Sequence, residues 1–258
     1  MRRLGALALL ALSACGPDMA KGETGFETPQ SGSAFLKPDT RALQSDDFAN
    51  PGFLWVDRGE ALFARASEGG PACASCHDGG EHTLEGVAAR YPAIDDQTGE
   101  LFNLERRINA CRSRHQGEPP LEHESEALLS LTAYVAHLSR GVAIDVETGG
   151  AARPYYEAGR EYFFTRRGQF NLSCHHCHDR NWGQSLRGDT ISQGHPNGFP
   201  AYRLEWESFG SLHRRLRDCD TGVRAAPYPA GSDTYVALEL YLAARANGLA
   251  MESPGVRR

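Results

Sequence analysis

The sequence predicts a mostly α-helical chain of two tandem halves related by internal duplication, preceded by an extended N-terminal segment. Two observations carry that reading. Apolar residues in each half recur at i, i+3/i+4 and i+7, and little alternates at period two. The motifs of the first half then return in the same order about a hundred residues later, an arrangement chance rarely produces.

From the N-terminus, Met1-Arg2-Arg3 reads as the positive start of an export signal and Leu4–Leu12 as its short apolar stretch. That stretch is shorter than the ~20 apolar residues a bilayer span needs, and no later segment approaches it. Leu12-Ser13-Ala14-Cys15 has the form of a bacterial lipobox, which places a lipid on Cys15. The other reading is an ordinary cut near Ala20 that discards Cys15. Residues 1–20 are set aside as a signal peptide. Residues 21–50, rich in Gly, Thr, Pro, Ser and Asp, are expected as an extended arm or linker.

Residues 51–148 form the first half and 149–258 the second, with a linker near Val146–Arg153. Trp55-Val56-x-x-Gly59-x-x-Leu62-Phe63 has helical spacing, and Tyr155-Tyr156-x-x-Gly159-x-x-Tyr162-Phe163 repeats it. Each is followed by Cys-x-x-Cys-His: Cys73, Cys76 and His77, then Cys174, Cys177 and His178. Next comes Leu104-x-Arg106-Arg107-Ile108-x-x-Cys111, matched by Leu212-x-Arg214-Arg215-Leu216-x-x-Cys219. Each half closes with an amphipathic helix. One carries Leu128, Leu131, Tyr134, Val135 and Leu138 and stops at Gly141; the other carries Ala237, Leu240, Tyr241 and Ala244 and stops at Gly248. Gly79–Gly86 and Gln193–Ala201 are expected as loops.

Composition bounds the function. At 258 residues and 40% hydrophobic, the chain has enough apolar material for a core in each of two domains. A formal charge of −6 argues against a nucleic-acid partner, which calls for a basic footprint. Lys21 and Lys37 are the only lysines, so nearly all positive charge is arginine.

Cys-x-x-Cys-His is the attachment pattern of c-type haem. Two thiols at i and i+3 stand on one side of a helical turn and add to the macrocycle, and the adjacent His takes the iron. A zinc site would want both pairs at one metal, which the long interval between them opposes. The halves are therefore expected as cytochrome-c-like domains carrying two covalently bound haems. Cys73, Cys76, Cys174 and Cys177 are the attachment residues, and His77 and His178 the axial ligands.

The second axial ligand departs from ordinary cytochromes c, which use Met. No Met lies between residues 20 and 250. Cys111 and Cys219 are left over, one per half and at matching places, so a thiolate on each iron fits the repeat. Arg106, Arg107, Arg112 and Arg114 crowd Cys111, and Arg214, Arg215 and Arg217 crowd Cys219. Nearby guanidinium groups favour a thiolate, and the surplus near Cys219 can attract an anion. Two alternatives stay open. Cys111 and Cys219 could form one disulfide. A histidine could ligate instead: His82, His115, His123, His137, His175, His176, His195 or His213, the last lying nearest Cys219 in sequence.

An exported chain with two Cys-x-x-Cys-His halves and Arg-Arg-Leu-Arg-Asp ahead of Cys219 resembles the SoxA family over roughly Phe53 to Leu249. These are cytochrome subunits of the SoxAX L-cysteine S-thiosulfotransferase of bacterial sulfur oxidation. The resemblance implies the dihaem type, with His77 and Cys111 on one iron and His178 and Cys219 on the other. It implies Cys219 as the catalytic cysteine and Arg215 as a substrate-binding residue. It also implies thiosulfate as substrate, the monohaem cytochrome SoxX and the carrier SoxYZ as partners, and a periplasmic location. The other reading of the same residues is a low-potential dihaem electron-transfer cytochrome without transferase activity.

Overall fold

A computed structural model describes residues 28–77 and 84–258; the signal peptide, Cys15 and His82 lie outside them. The helices, in chain order, are α1 (Pro38–Ser45), α2 (Phe53–Ala64), α3 (Cys73–Cys76), α4 (Leu104–Cys111), α5 (Glu126–His137), α6 (Arg153–Phe164), α7 (Cys174–His178), α8 (Leu212–Gly222) and α9 (Asp233–Arg245). Short polar side chains start the key ones, because the first N–H groups of a helix lack internal partners. Asn103 accepts from Arg106 N–H at 3.0 Å ahead of α4, and Ser211 from Arg214 N–H at 3.1 Å ahead of α8. Gly141 and Gly248, both at positive φ, follow α5 and α9 where their C-terminal stops were expected.

Two helix pairs dominate the packing: α2 on α5 and α6 on α9. At each crossing a glycine lets the backbones meet. A Cβ on Gly59 would overlap the Ser130 carbonyl, and one on Gly159 the Ala237 carbonyl. The largest hydrophobic cluster is shared: Val56, Phe63 and Leu131 pack with Phe209, Val236 and Leu240. Each fully buried leucine in it contributes roughly 2 kcal/mol of apolar burial. A smaller cluster, Phe163, Tyr235, Leu238, Tyr241 and Leu242, belongs to the second half alone.

Strands are few and short, as expected. β1 (Ala93–Ile94) and β2 (Leu101–Phe102) form one antiparallel ribbon, and β3 (Ser185–Leu186) and β4 (Asp189–Thr190) another. β5 (Ala201–Arg203) lies between antiparallel β6 (Ser208–Gly210) and parallel β7 (Gly255–Arg257). The ribbons that precede α4 and α8 share one register. Ala93 pairs with Phe102 and the next residue caps α4; Ala201 pairs with Gly210 and the next residue caps α8.

Residues 28–50 differ from the expected arm. Their described part holds a 3-10 turn, Gly32–Phe35, and helix α1, which packs on β7. The cause is hydrogen bonding rather than apolar patterning. Buried Gln44 accepts from Val256 N–H at 3.0 Å, and Asn50 donates to the Pro254 carbonyl at 2.9 Å. Gln30 N–H reaches the Gln193 side chain at 2.7 Å, tying this segment to the loop after α7.

Candidate haem and thiol centres

Four of the predicted residues, Cys73, Cys76, Cys174 and Cys177, sit on one-turn helices α3 and α7, which puts each pair on one side of its turn. α7 is fixed by a reciprocal cap: Ser173 N–H donates to His176 Nδ1 at 3.1 Å while the Ser173 side chain caps the helix. None of the six described cysteines is in a disulfide, so Cys111 and Cys219 are not bridged. Instead each lone thiol belongs to its own pair. Cys111 interacts electrostatically with Cys73 and Cys76, and Cys219 with Cys174 and Cys177. Burial, with the neighbouring Cys219 and Asp220, pushes the Cys174 thiol up to about 12.

His178 is firmly oriented. Its Nδ1 lies 2.7 Å from the Ser192 carbonyl, which can only accept, so the ring proton is on Nδ1 and the Nε2 lone pair is left for a metal. Burial lowers its pKa to about 4, keeping the ring neutral. Gly194, at positive φ, passes so close that a Cβ would press on the His178 ring. His77 ends α3, 5.9 Å from the Phe63 ring, and burial lowers its pKa too.

The alternative histidines are engaged elsewhere. His213 is buried between the halves, with Nδ1 accepting from Gly231 N–H at 2.9 Å and Nε2 3.0 Å from Glu239. His123 faces Glu105 at 3.1 Å, His175 faces Asp179 at 2.8 Å, His176 serves the Ser173 cap and His195 meets Gln193 at 3.1 Å. His137 stacks edge-on against Phe53, and His115 is exposed.

The arginines beside the two thiols behave differently. In the first half, buried Asp95 takes Arg107 at 2.8 Å and Arg114 through two contacts of 2.9 and 2.8 Å. Arg107 also donates to the Tyr91 hydroxyl at 2.9 Å. These guanidinium groups hold the Asp95 carboxyl well below the usual carboxylate range. Arg106 turns away to Asp233. The expectation that arginines make Cys111 a ready thiolate is not met: burial raises its pKa, outweighing Arg107 and Arg114, and Asp95 adds to the rise.

In the second half, Arg215 stands one helical turn before Cys219 on α8 and has no side-chain hydrogen bond or ion pair among the described residues. Arg203 lies within reach of its charge, and its buried Nε has no hydrogen-bond partner. Behind Cys219, buried Asp220 accepts from the Tyr162 and Tyr235 hydroxyls at 2.6 and 2.7 Å and pairs with Arg167 at 3.3 Å. The sequence reading missed Asp95, Arg203 and this Asp220 network. The Pro-Ala pairs at Pro92-Ala93 and Pro200-Ala201, spaced as Cys111 is from Cys219, are the signal that could have found the first two.

These residues fit c-type haem: paired thiols on one turn and a neutral imidazole with bare Nε2.

Comparisons with known proteins agree. A family model described as the SoxA/TsdA cytochrome c domain matches residues 58–144. The chain is 40% identical to the L-cysteine S-thiosulfotransferase subunit SoxA of Rhodovulum sulfidophilum, covering 90% of this chain and 81% of that one. It is 40% identical to the subunit of the same name from Paracoccus pantotrophus, covering 90% and 80%. The crystal structure of SoxXA from P. pantotrophus superposes with a TM-score of 0.86 at 39% identity, covering 91% of this chain and 89% of that one. The cofactor is covalently bound c-type haem, and the chain belongs to the SoxA family of sulfur-oxidation cytochromes.

Proposed function

We propose that the chain is the cytochrome subunit of an L-cysteine S-thiosulfotransferase, that it arose by internal duplication, and that it carries two haems. His77 and Cys111 hold one iron and His178 and Cys219 the other, and only the second centre turns over. The observation that carries the reading is Arg215, with its guanidinium uncommitted one turn from Cys219, against Arg107, tied to Asp95 and Tyr91 one turn from Cys111. A small dianion such as thiosulfate needs such a group.

When bound, haem supplies a one-electron sink beside the thiol. The side chains do the rest. Arg215 neutralises thiosulfate and orients its terminal sulfur toward Cys219. The Cys219 sulfur forms a sulfur–sulfur bond to it, and two electrons leave, one at a time, to this chain and to a SoxX partner cytochrome. A deprotonated cysteine of a SoxYZ carrier then attacks the outer Cys219-bound sulfur, takes the thiosulfate group and frees Cys219 as thiolate. The Asp220 network holds Cys219 in register throughout. Among the described residues no helix is long and apolar enough to cross a membrane.

The test is Cys219→Ala in the haem-loaded complex, assayed for thiosulfate-dependent electron transfer and carrier conjugation. Both are expected to be lost, whereas Cys111→Ala keeps them. Full activity in Cys219→Ala would leave only the electron-carrier reading.

A further inference from the structure

The two ribbons that lead into the thiol helices share one register, so their residues can be compared place by place. Ala93 matches Ala201 and Ile94 matches Tyr202, and the next residue is Asp95 in one half and Arg203 in the other. One residue before the shared proline, Tyr91 in the first half is matched by Phe199 in the second. Those are the two partners of Arg107. Its counterpart Arg215, at the same spacing, thus loses both a carboxylate and a hydroxyl and gains a second guanidinium. The sign of charge reverses at one buried place: Asp95 and Arg203 are each about nineteen-twentieths or more shielded from solvent.

We propose that this one position decides which of the two centres admits an anionic sulfur substrate: Asp95 closes the Cys111 centre to anions, and Arg203 opens the Cys219 centre. The inference rests on thiosulfate reacting at Cys219 and adds the determinant of that choice. A buried carboxylate that binds both Arg107 and Arg114 occupies the donors a dianion would need and offsets part of their charge where the surroundings screen poorly. A buried guanidinium beside Arg215 adds positive charge that its pair with the half-exposed, solvent-screened Glu205 offsets only in part. Arg203 is stacked over Trp206, 4.8 Å from the ring centroid, and bonded to the half-exposed Glu205 at 2.9 Å, so it is fixed in place while its Nε stays unmatched.

The experiment uses the haem-loaded complex in four forms: unmodified, Arg203→Gln, Arg203→Lys and Asp95→Asn. Thiosulfate turnover gives KM and kcat, and spectroelectrochemical titration gives the potential of each haem. Arg203→Gln is expected to raise KM about tenfold, the loss of one charge-assisted contact, with a smaller change in kcat. It should lower the second haem's potential only, and Arg203→Lys should restore much of the KM. Asp95→Asn should leave turnover at Cys219 unchanged and raise the first haem's potential. It should also let sulfite or thiosulfate perturb the first haem's spectrum, with no such change expected in the unmodified protein. A shifted potential with unchanged KM in Arg203→Gln would assign Arg203 to a haem propionate and overturn the proposal. If Asp95→Asn does not fold, the Arg203 pair still decides it. Activity surviving in Cys219→Ala would instead refute the transferase reading itself, a separate outcome.

Discussion

His195 shows how burial at a single side chain becomes a property of the whole protein. It lies in the loop between β4 and β5, shielded from solvent, with Gln193 as a partner. Burial, with the charges of Arg245 and His178, lowers its pKa from 6.5 to about 3. Between those values the unfolded chain binds a proton that the native chain refuses, so stability falls as pH drops through that window. Replacing it by glutamine, which cannot titrate, is expected to flatten part of the acid limb of a denaturation curve recorded from pH 7 to pH 3. An unchanged slope would mean that other groups set it. At this scale the sequence was informative wherever a residue's chemistry is local. The Cys-x-x-Cys-His runs could be read as helical turns directly from their spacing, while Cys111 and Cys219 stood out through the repeat and Arg215 through a family resemblance. Asp95, Arg203 and Asp220 could not. Their meaning lies in which guanidinium or hydroxyl the fold brings to them, and pairing across two-residue strands leaves no periodic trace.

Among the elements, the two glycine-centred crossings matter most. Because a Cβ on Gly59 or Gly159 would overlap a backbone carbonyl rather than a movable side chain, the helices must separate to admit it. Gly59→Ala and Gly159→Ala are each expected to cost about 3 kcal/mol or more in chemical denaturation. Gly222→Ala, with nothing within 4 Å and an ordinary backbone, should be neutral or slightly stabilising. Equal effects at all three would remove the close-approach argument. The four main helices were legible because their apolar faces pack and so carry the 3.6-residue period. Helix α1 was not, since Gln44 and Asn50 anchor it to the C-terminal tail through hydrogen bonds that hydropathy does not register. The shared cluster of Val56, Leu131, Val236 and Leu240 was equally hidden: periodicity shows that a face is buried, not against which half.

Across the whole molecule, the surroundings of Cys111 and of Cys219 are built from comparable ribbons and helices and are charged differently. Each lone thiol lies with its own cysteine pair, each pair is followed by a histidine, and among the described residues Arg215 beside Cys219 is uncommitted while Arg107 beside Cys111 is tied to Asp95. The most direct test of that arrangement is low-temperature electron paramagnetic resonance of the oxidised, haem-loaded protein beside its Cys111→Ala and Cys219→Ala variants. The account predicts two low-spin signals of the thiolate-ligated kind, with one lost in each variant and the other left in place. Signals of bis-histidine type that neither substitution alters would contradict it.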